Sequence, residues 1–401
     1  MLRDLPAKLF SPKFGFYAFS LVILVSYCFI PFFVNLYYSG NEYFLQLSIL
    51  TICAVTFMII GFKMPIIDGR FRDGALRIGV GSFTLNFCVW SFFLIFATYT
   101  FWTATSIPLF SALQGASADT LSQERGDFFK GRSGAETALL YLSTIFTTVL
   151  IPYSIVLAYM KKSPFRHLFI MCAFFFCISF LQKSLFLNVL LPLLVCLAIT
   201  NKLSIKSLVF CVLGMICLLV FAVYLTVDES TAVRRVLDIT VYFSSEYVPS
   251  DSGDYFLWRV IAVPIFTASD TLLVHTQQFG DYLMGATSTL ISAIFGMERI
   301  NIERYVFQHQ FGGWNDIANA NAVFVTDAYV NFGWAGVILF SLFIGQVFRW
   351  FNMSKDIAFK SLWPVFALTL YSASLIGMLI SNGFAIILLH GLMVRVKYVR
   401  S

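Results

Sequence analysis

Runs of apolar residues long enough to approach the ~30 Å of a bilayer's hydrocarbon alternate with polar segments along the whole chain. Four open it, at 14–36, 44–62, 78–101 and 138–160. Two shorter runs, 167–181 and 185–198, are separated only by Gln182, Lys183 and Ser184, which predicts a tight helical hairpin. A full span follows at 208–227, and after a long mixed segment come 322–348, 362–380 and 384–396. The pattern predicts an all-α polytopic membrane protein of about ten transmembrane helices, with twelve as the upper bound.

The mixed segment 228–321 contains two further apolar stretches, 260–274 and 283–296. Each is shorter than the roughly 20 residues needed to span, and Pro264 and Asp270 interrupt the first. They are expected to be re-entrant or interfacial helices beside a cavity, because irregular backbone at membrane depth needs protein or water around it. The alternative is that both cross, which leaves the termini on the same side. Three regions result. Residues 1–227 carry helices one to seven, with an outer loop near 103–136. Residues 228–321 form a large outer loop with partial membrane segments, and 322–401 carry the last helices.

Composition agrees: 59% of the 401 residues are hydrophobic and 12% charged, which excludes a water-soluble fold. Charge then sets the orientation, because Lys and Arg in short loops stay on the cytoplasmic side. Alternate loops and the two ends hold roughly 18 of the 27 basic residues, but only Asp4, Asp68, Asp73 and Asp356 of the 21 acids. Both termini are therefore expected in the cytoplasm, with a net acidic face opposite. The net charge of +6 reports topology and gives no reason to expect nucleic acid. All eight cysteines fall in apolar runs, so neither a disulfide framework nor a metal-type cluster is expected. The first run is too long for a signal-peptide core and reads as a retained anchor.

Polar chemistry gathers in two outer segments. The first, 103–136, sets Arg125, Lys130 and Arg132 among glycines, either as a phosphate or sugar clamp or as a solvated loop paired to Glu124 and Asp127. In the second, Arg259 stands eleven positions before Asp270, a candidate ion pair. An Arg at the membrane edge is costly without an anion, and a ligand phosphate would serve better than one carboxylate. Arg299 and Arg304 flank Glu303, and His309 follows in a stretch that reaches Asp316. His309 is a candidate base, with a structural histidine as the rival reading. Asp327 and Asn331, four apart, share one helical face near the outer end of the 322–348 run. No second His or Cys stands at ligand spacing, so no metal or other cofactor is expected.

Three stretches resemble the Wzy-type polymerases that join lipid-linked oligosaccharide repeats. They are Phe180–Phe186 with Lys183 at the mouth of the hairpin, Phe279–Ser288, and Asp327-Ala-Tyr-Val-Asn-Phe-Gly-Trp-Ala-Gly336. The last is similar to the family's acid-x-Tyr-x-Asn-Phe-Gly entry into a late helix and brings in Tyr329 beside Asn331. Lys183 stands where the family commonly has an Arg. The family's outer-loop Arg followed eleven residues later by Gly cannot be laid on Arg125, Arg259, Arg299 or Arg304.

The resemblance implies a metal-independent glycosyltransferase of the bacterial inner membrane, acting at the periplasmic face. It would move a glycan from undecaprenyl diphosphate onto a fresh lipid-linked repeat, building O-antigen, capsule or exopolysaccharide. Its implied partners are that lipid-linked oligosaccharide, membrane lipids and a chain-length regulator protein. Arg259, Arg299, Arg304 and Lys183 are then candidates to neutralise the diphosphate. His309 ranks first as base, Asp327 second and Asp316 also in reach, while Tyr305, Phe311 and Trp314 offer flat faces for sugars. An O-antigen ligase would use the same donor with a different acceptor. A flippase or transporter would carry charges deep in several spans and a repeated half, and neither is visible.

Overall fold

The computed structural model describes residues 5–39, 42–66, 78–181, 183–224, 239–313, 319–320 and 323–397. The principal helices are, in chain order, α1 (Pro12–Tyr37), α2 (Glu42–Lys63), α3 (Ser82–Trp102), α4 (Ala118–Lys130), α5 (Gly134–Met160), α6 (Arg166–Ser179), α7 (Lys183–Ile199) and α8 (Ile205–Tyr224). They continue as α9 (Ser252–Gln278), α10 (Thr289–Phe295), α11 (Ile302–Phe311), α12 (Phe324–Met353), α13 (Trp363–Tyr371), α14 (Leu375–Ile380) and α15 (Phe384–Met393). Among the described residues six, α1, α2, α3, α5, α9 and α12, are long and apolar enough to cross a membrane. Shorter apolar helices accompany them, α6 and α15 included. This is an all-α multi-pass membrane protein.

Prolines inside the long apolar helices are absorbed locally. Pro31 in α1 and Pro152 in α5 each follow a wide turn, Val25–Phe29 and Phe146–Leu150. The wider turn accommodates the carbonyl four residues back, which a proline can neither bond nor clear. Helix α5 is buried on every side from Ile151 to Ala158 and so is enclosed by other helices. Helix α3 instead turns Phe83 and Trp102 outward, 76% and 86% exposed, as a lipid-facing surface does.

Helices α2 and α12 cross at glycine. A Cβ on Gly345 would run into the Met58 carbonyl, so the two backbones touch as small residues allow. Gln346 donates to the Gly61 and Met64 carbonyls, and Arg349 Nη1 donates to Phe62 O at 3.2 Å. The last carbonyls of α2 are thereby capped from α12. Lys63 and Arg349, which the cation count assigns to one side, stand at the same end of the bundle.

Three sequence expectations need correction. Residues 260–274 do not form a short re-entrant piece: α9 runs unbroken for 27 residues through Pro264. The Val260 carbonyl, which Pro264 cannot bond, accepts the Tyr371 hydroxyl at 3.4 Å. Residues 283–296 hold a loop and the seven residues of α10, which removes the alternative of a span there and leaves a short helix. The run 362–380 is broken between Tyr371 and Leu375, where Ser374 caps α14 by accepting Gly377 N–H at 3.1 Å. Finally, Ile78–Gly81 and Val394–Lys397 are strands β1 and β2, not helix ends, paired parallel from Ile78 opposite Val394 to Gly81 opposite Lys397. Alternating β-branched residues, Ile78, Val80, Val394 and Val396, suit that pairing.

Candidate functional site

The site grows from a defect in α12. Gly333 takes φ 60° and ψ −150°, a conformation only glycine adopts without strain, and interrupts the helix nine residues after its start. The break leaves carbonyls one turn upstream open to other donors. Leu283 N–H bonds Val330 O at 3.0 Å, and Met284 N–H bonds Asn331 O at 2.9 Å. The loop after α9 is thus stitched to the kink by backbone alone. Tyr282 seals the joint: a Cβ on Gly333 would lie 2.6 Å from its ring.

Side chains fix the loop further. Asn331 is fully buried; its Nδ2 donates to Thr287 Oγ1 at 3.0 Å and to Asp327 Oδ1 at 3.0 Å. Its Oδ1 accepts Gly285 N–H at 3.0 Å, where φ +90° again calls for glycine. Asp327 is only 7% exposed. Its Oδ1 takes the Asn331 bond and a longer one from Thr287 at 3.5 Å, whereas its Oδ2 is buried without a hydrogen-bond partner. Buried carboxylate oxygens are normally satisfied, so a partner is wanted at this one.

Asp327 borders a cavity of about 510 Å³. One wall is Thr287, Ser288 and Thr289 of the docked loop; another is Asn301, Ile302 and Glu303 at the start of α11. The floor comes from the second broken helix, Ser374, Gly377 and Ser381, and Tyr141 of α5 and Thr271 of α9 close it. Arg299, exposed, supplies a cation to the lining. Irregular backbone at membrane depth is tolerated where it lines such a space, and both helix breaks border this one. Hydroxyl, amide and carboxylate groups alternate with Leu290, Ile376 and Ile380, the mixture a polyhydroxylated ligand with apolar C–H faces requires.

Of the residues singled out in the sequence, the cavity gathers Asp327 and Arg299, with Asn331 holding Asp327 from behind. Tyr329 is half-buried next door, its ring 6.0 Å from those of Tyr282 and Trp334. Arg304 is one residue past Glu303 on α11 and does not line the cavity. His309 is exposed near the far end of α11, and Arg259 is exposed on α9; neither lines the space. Asp270 is held by Gln310 Nε2 at 2.7 Å instead of by Arg259. Arg125 is half-buried on α4, away from the lining.

Arg132 is occupied structurally. It donates to Phe128 O at 2.7 Å, Thr100 O at 2.9 Å, Glu136 at 3.0 Å and Thr103 Oγ1. Those bonds use four of its five N–H groups, so it ties the outer loop to the end of α3. Lys183 opens α7, but its side chain lies outside the described residues, as do Trp314 and Asp316. Thr287, Asn301, Glu303, Ser374 and Tyr141 complete the lining without having been selected as site residues from the sequence. Only two of them carried a local signal: Asn301 caps α11 and Ser374 caps α14, each three residues before the N–H it accepts.

Compared with known proteins, the chain matches no family model, no curated protein and no solved structure.

Proposed function

We propose that this chain is an inner-membrane glycosyltransferase that polymerises undecaprenyl-diphosphate-linked oligosaccharide repeats, with the cavity beside Asp327 as its reaction site. The observation that carries this reading is Asp327: a buried carboxylate, one oxygen bonded to Asn331 and the other without a partner, on a cavity lined by hydroxyls and Arg299. The resemblance of the Asp327–Gly336 and Phe279–Ser288 stretches to the polymerase family supports it too, because these two stretches are the ones that dock to make the cavity wall.

In the reaction, an acceptor sugar hydroxyl attacks the anomeric carbon of the donor. The new C–O bond forms as the bond from that carbon to the phosphate oxygen breaks, and the electron pair leaves with the diphosphate. Asp327, in place of His309, takes the hydroxyl proton. Arg299 meets the charge that develops on the diphosphate with a bidentate fork. Seating the acceptor hydroxyl against a carboxylate held rigid by Asn331 removes most of the orientational cost.

The glycan banding pattern of a deletion strain tests this. Single repeats on lipid, restored to a ladder by the wild-type gene but not by Arg299→Ala, are expected. Full-length polymer stranded on its carrier would mark a ligase, and an unchanged ladder would end the polymerase reading.

A further inference from the structure

Part of the cavity lining is apolar and runs on past the cavity. Leu290 and Ala293 of α10 line it, as do Ile376 and Ile380 of α14. Leu290, Ala293 and Ile294 recur at three- and four-residue spacing and so share one face of α10. Ile294 and the next residue, Phe295, do not line the cavity and are 67% and 71% exposed, so the apolar stripe continues from the cavity to the outside. Helix α10 is the arm of a loop closed at its base, where Ile300 N–H bonds Ala286 O at 3.0 Å. That loop is stitched to α12 at Val330 and Asn331, about 10 Å along the helix from its start at Phe324. Exposed Tyr282 and Trp334, with Tyr329 between them, stand at the same level, as aromatic residues do at a bilayer surface. An apolar face exposed at that depth meets lipid.

We infer that the cavity opens sideways into the bilayer between α10 and α14, and that this gap seats the isoprenoid chain of the lipid-linked repeat. This rests on the glycosyltransferase reading above and gives the carrier its place in it. A cavity of about 510 Å³ has room for sugars and cannot also enclose an undecaprenyl chain, so the chain has to leave it toward lipid. Arg299 lines the cavity four residues after Phe295, which sets a diphosphate bound there beside the apolar stripe. Lipid tails are as apolar as Leu290 and Ile380, so the chain alone gives the gap no preference over ordinary lipid. The preference comes from the diphosphate held at Arg299 and the sugars in the cavity.

A geranylgeranyl diphosphate carrying a benzophenone on its chain, photolysed with the full-length protein in phosphatidylglycerol nanodiscs, tests this by mapping the adducts. They are expected to be severalfold more frequent on α10 and α14 than on the lipid-facing α3, and to fall on addition of undecaprenyl diphosphate but not of undecaprenol. Ala293→Trp, which puts an indole into the gap from an exposed position, is expected to cut the adducts on α14 severalfold at an unchanged melting temperature. Adducts as frequent on α3 as on α10 and α14 would overturn the inference, as would an absence of adducts, equal competition by undecaprenol, or a wild-type pattern in Ala293→Trp. The polymerase reading fails separately, by an unaltered ladder in the deletion strain.

Discussion

The two outer segments look alike in sequence, each mixing glycine, arginine and carboxylate, yet they handle their polar groups in opposite ways. In the first, Arg132 donates to four protein acceptors and its side chain is 7% exposed. Against the second, Asp327 of α12, which accepts a bond from Thr287 of that segment, is as deeply buried but keeps one oxygen without a partner, beside a cavity. A satisfied buried ion holds a loop in place; a half-satisfied one at a cavity is stabilised by what binds there. The distinction rests on hydrogen bonds from residues far along the chain, and residue type alone does not reveal it.

The comparison breaks first if Asp327 is dispensable. Asp327→Asn keeps the shape and is expected to lower elongation of lipid-linked repeats by about 10²–10⁴-fold, the usual worth of a positioned base, with the protein still made. Elongation by purified protein measures it, and a rate near wild type would reduce Asp327 to a structural residue. Arg299→Ala is expected to cost less, and Arg299→Lys to recover only part because an ammonium lacks the planar fork.

Arg132→Ala should show the opposite signature. Losing hydrogen bonds from a buried charge costs about 1.5–3 kcal/mol each, less what solvent regains, so the melting temperature in detergent falls. The rate per folded molecule is expected to hold, and a fall in rate without a fall in melting temperature would make the first segment functional after all. Gly333→Ala tests the joint itself: φ +60° and the Tyr282 ring both oppose a Cβ, for roughly 1–3 kcal/mol and a displaced loop. The smallest effects are expected at His309→Ala and Arg259→Ala, within about twofold of wild type, since neither side chain lines the cavity.

Hydropathy alone gives most of the helices, because a run such as Glu42–Lys63 has no alternative but to span or be buried. It fails where a distant residue repairs a local fault. Pro264 reads as a break in α9 until the Tyr371 hydroxyl is seen to occupy the freed Val260 carbonyl. The i, i+4 spacing of Asp327 and Asn331 is legible, and with it a carboxylate on a polar face. Thr287 reaches that carboxylate only through the docking of the 283–288 loop onto the kink at Gly333, which no local pattern reports. The serine break at Ser372–Ser374 passes for small residues within an apolar run.

Occupancy of the cavity can be read directly. Thr289 is exposed and lines it, whereas Gln123 is exposed on α4 of the first segment. Cysteine placed at either position, against the native-cysteine background of the parent protein, should react with a water-soluble maleimide in nanodiscs. Lipid-linked repeats isolated from the deletion strain are expected to slow labelling of Thr289→Cys about tenfold or more at saturation and to leave Gln123→Cys unchanged. Equal labelling of Thr289→Cys with and without those repeats would contradict the assignment of the cavity as the site where they are joined.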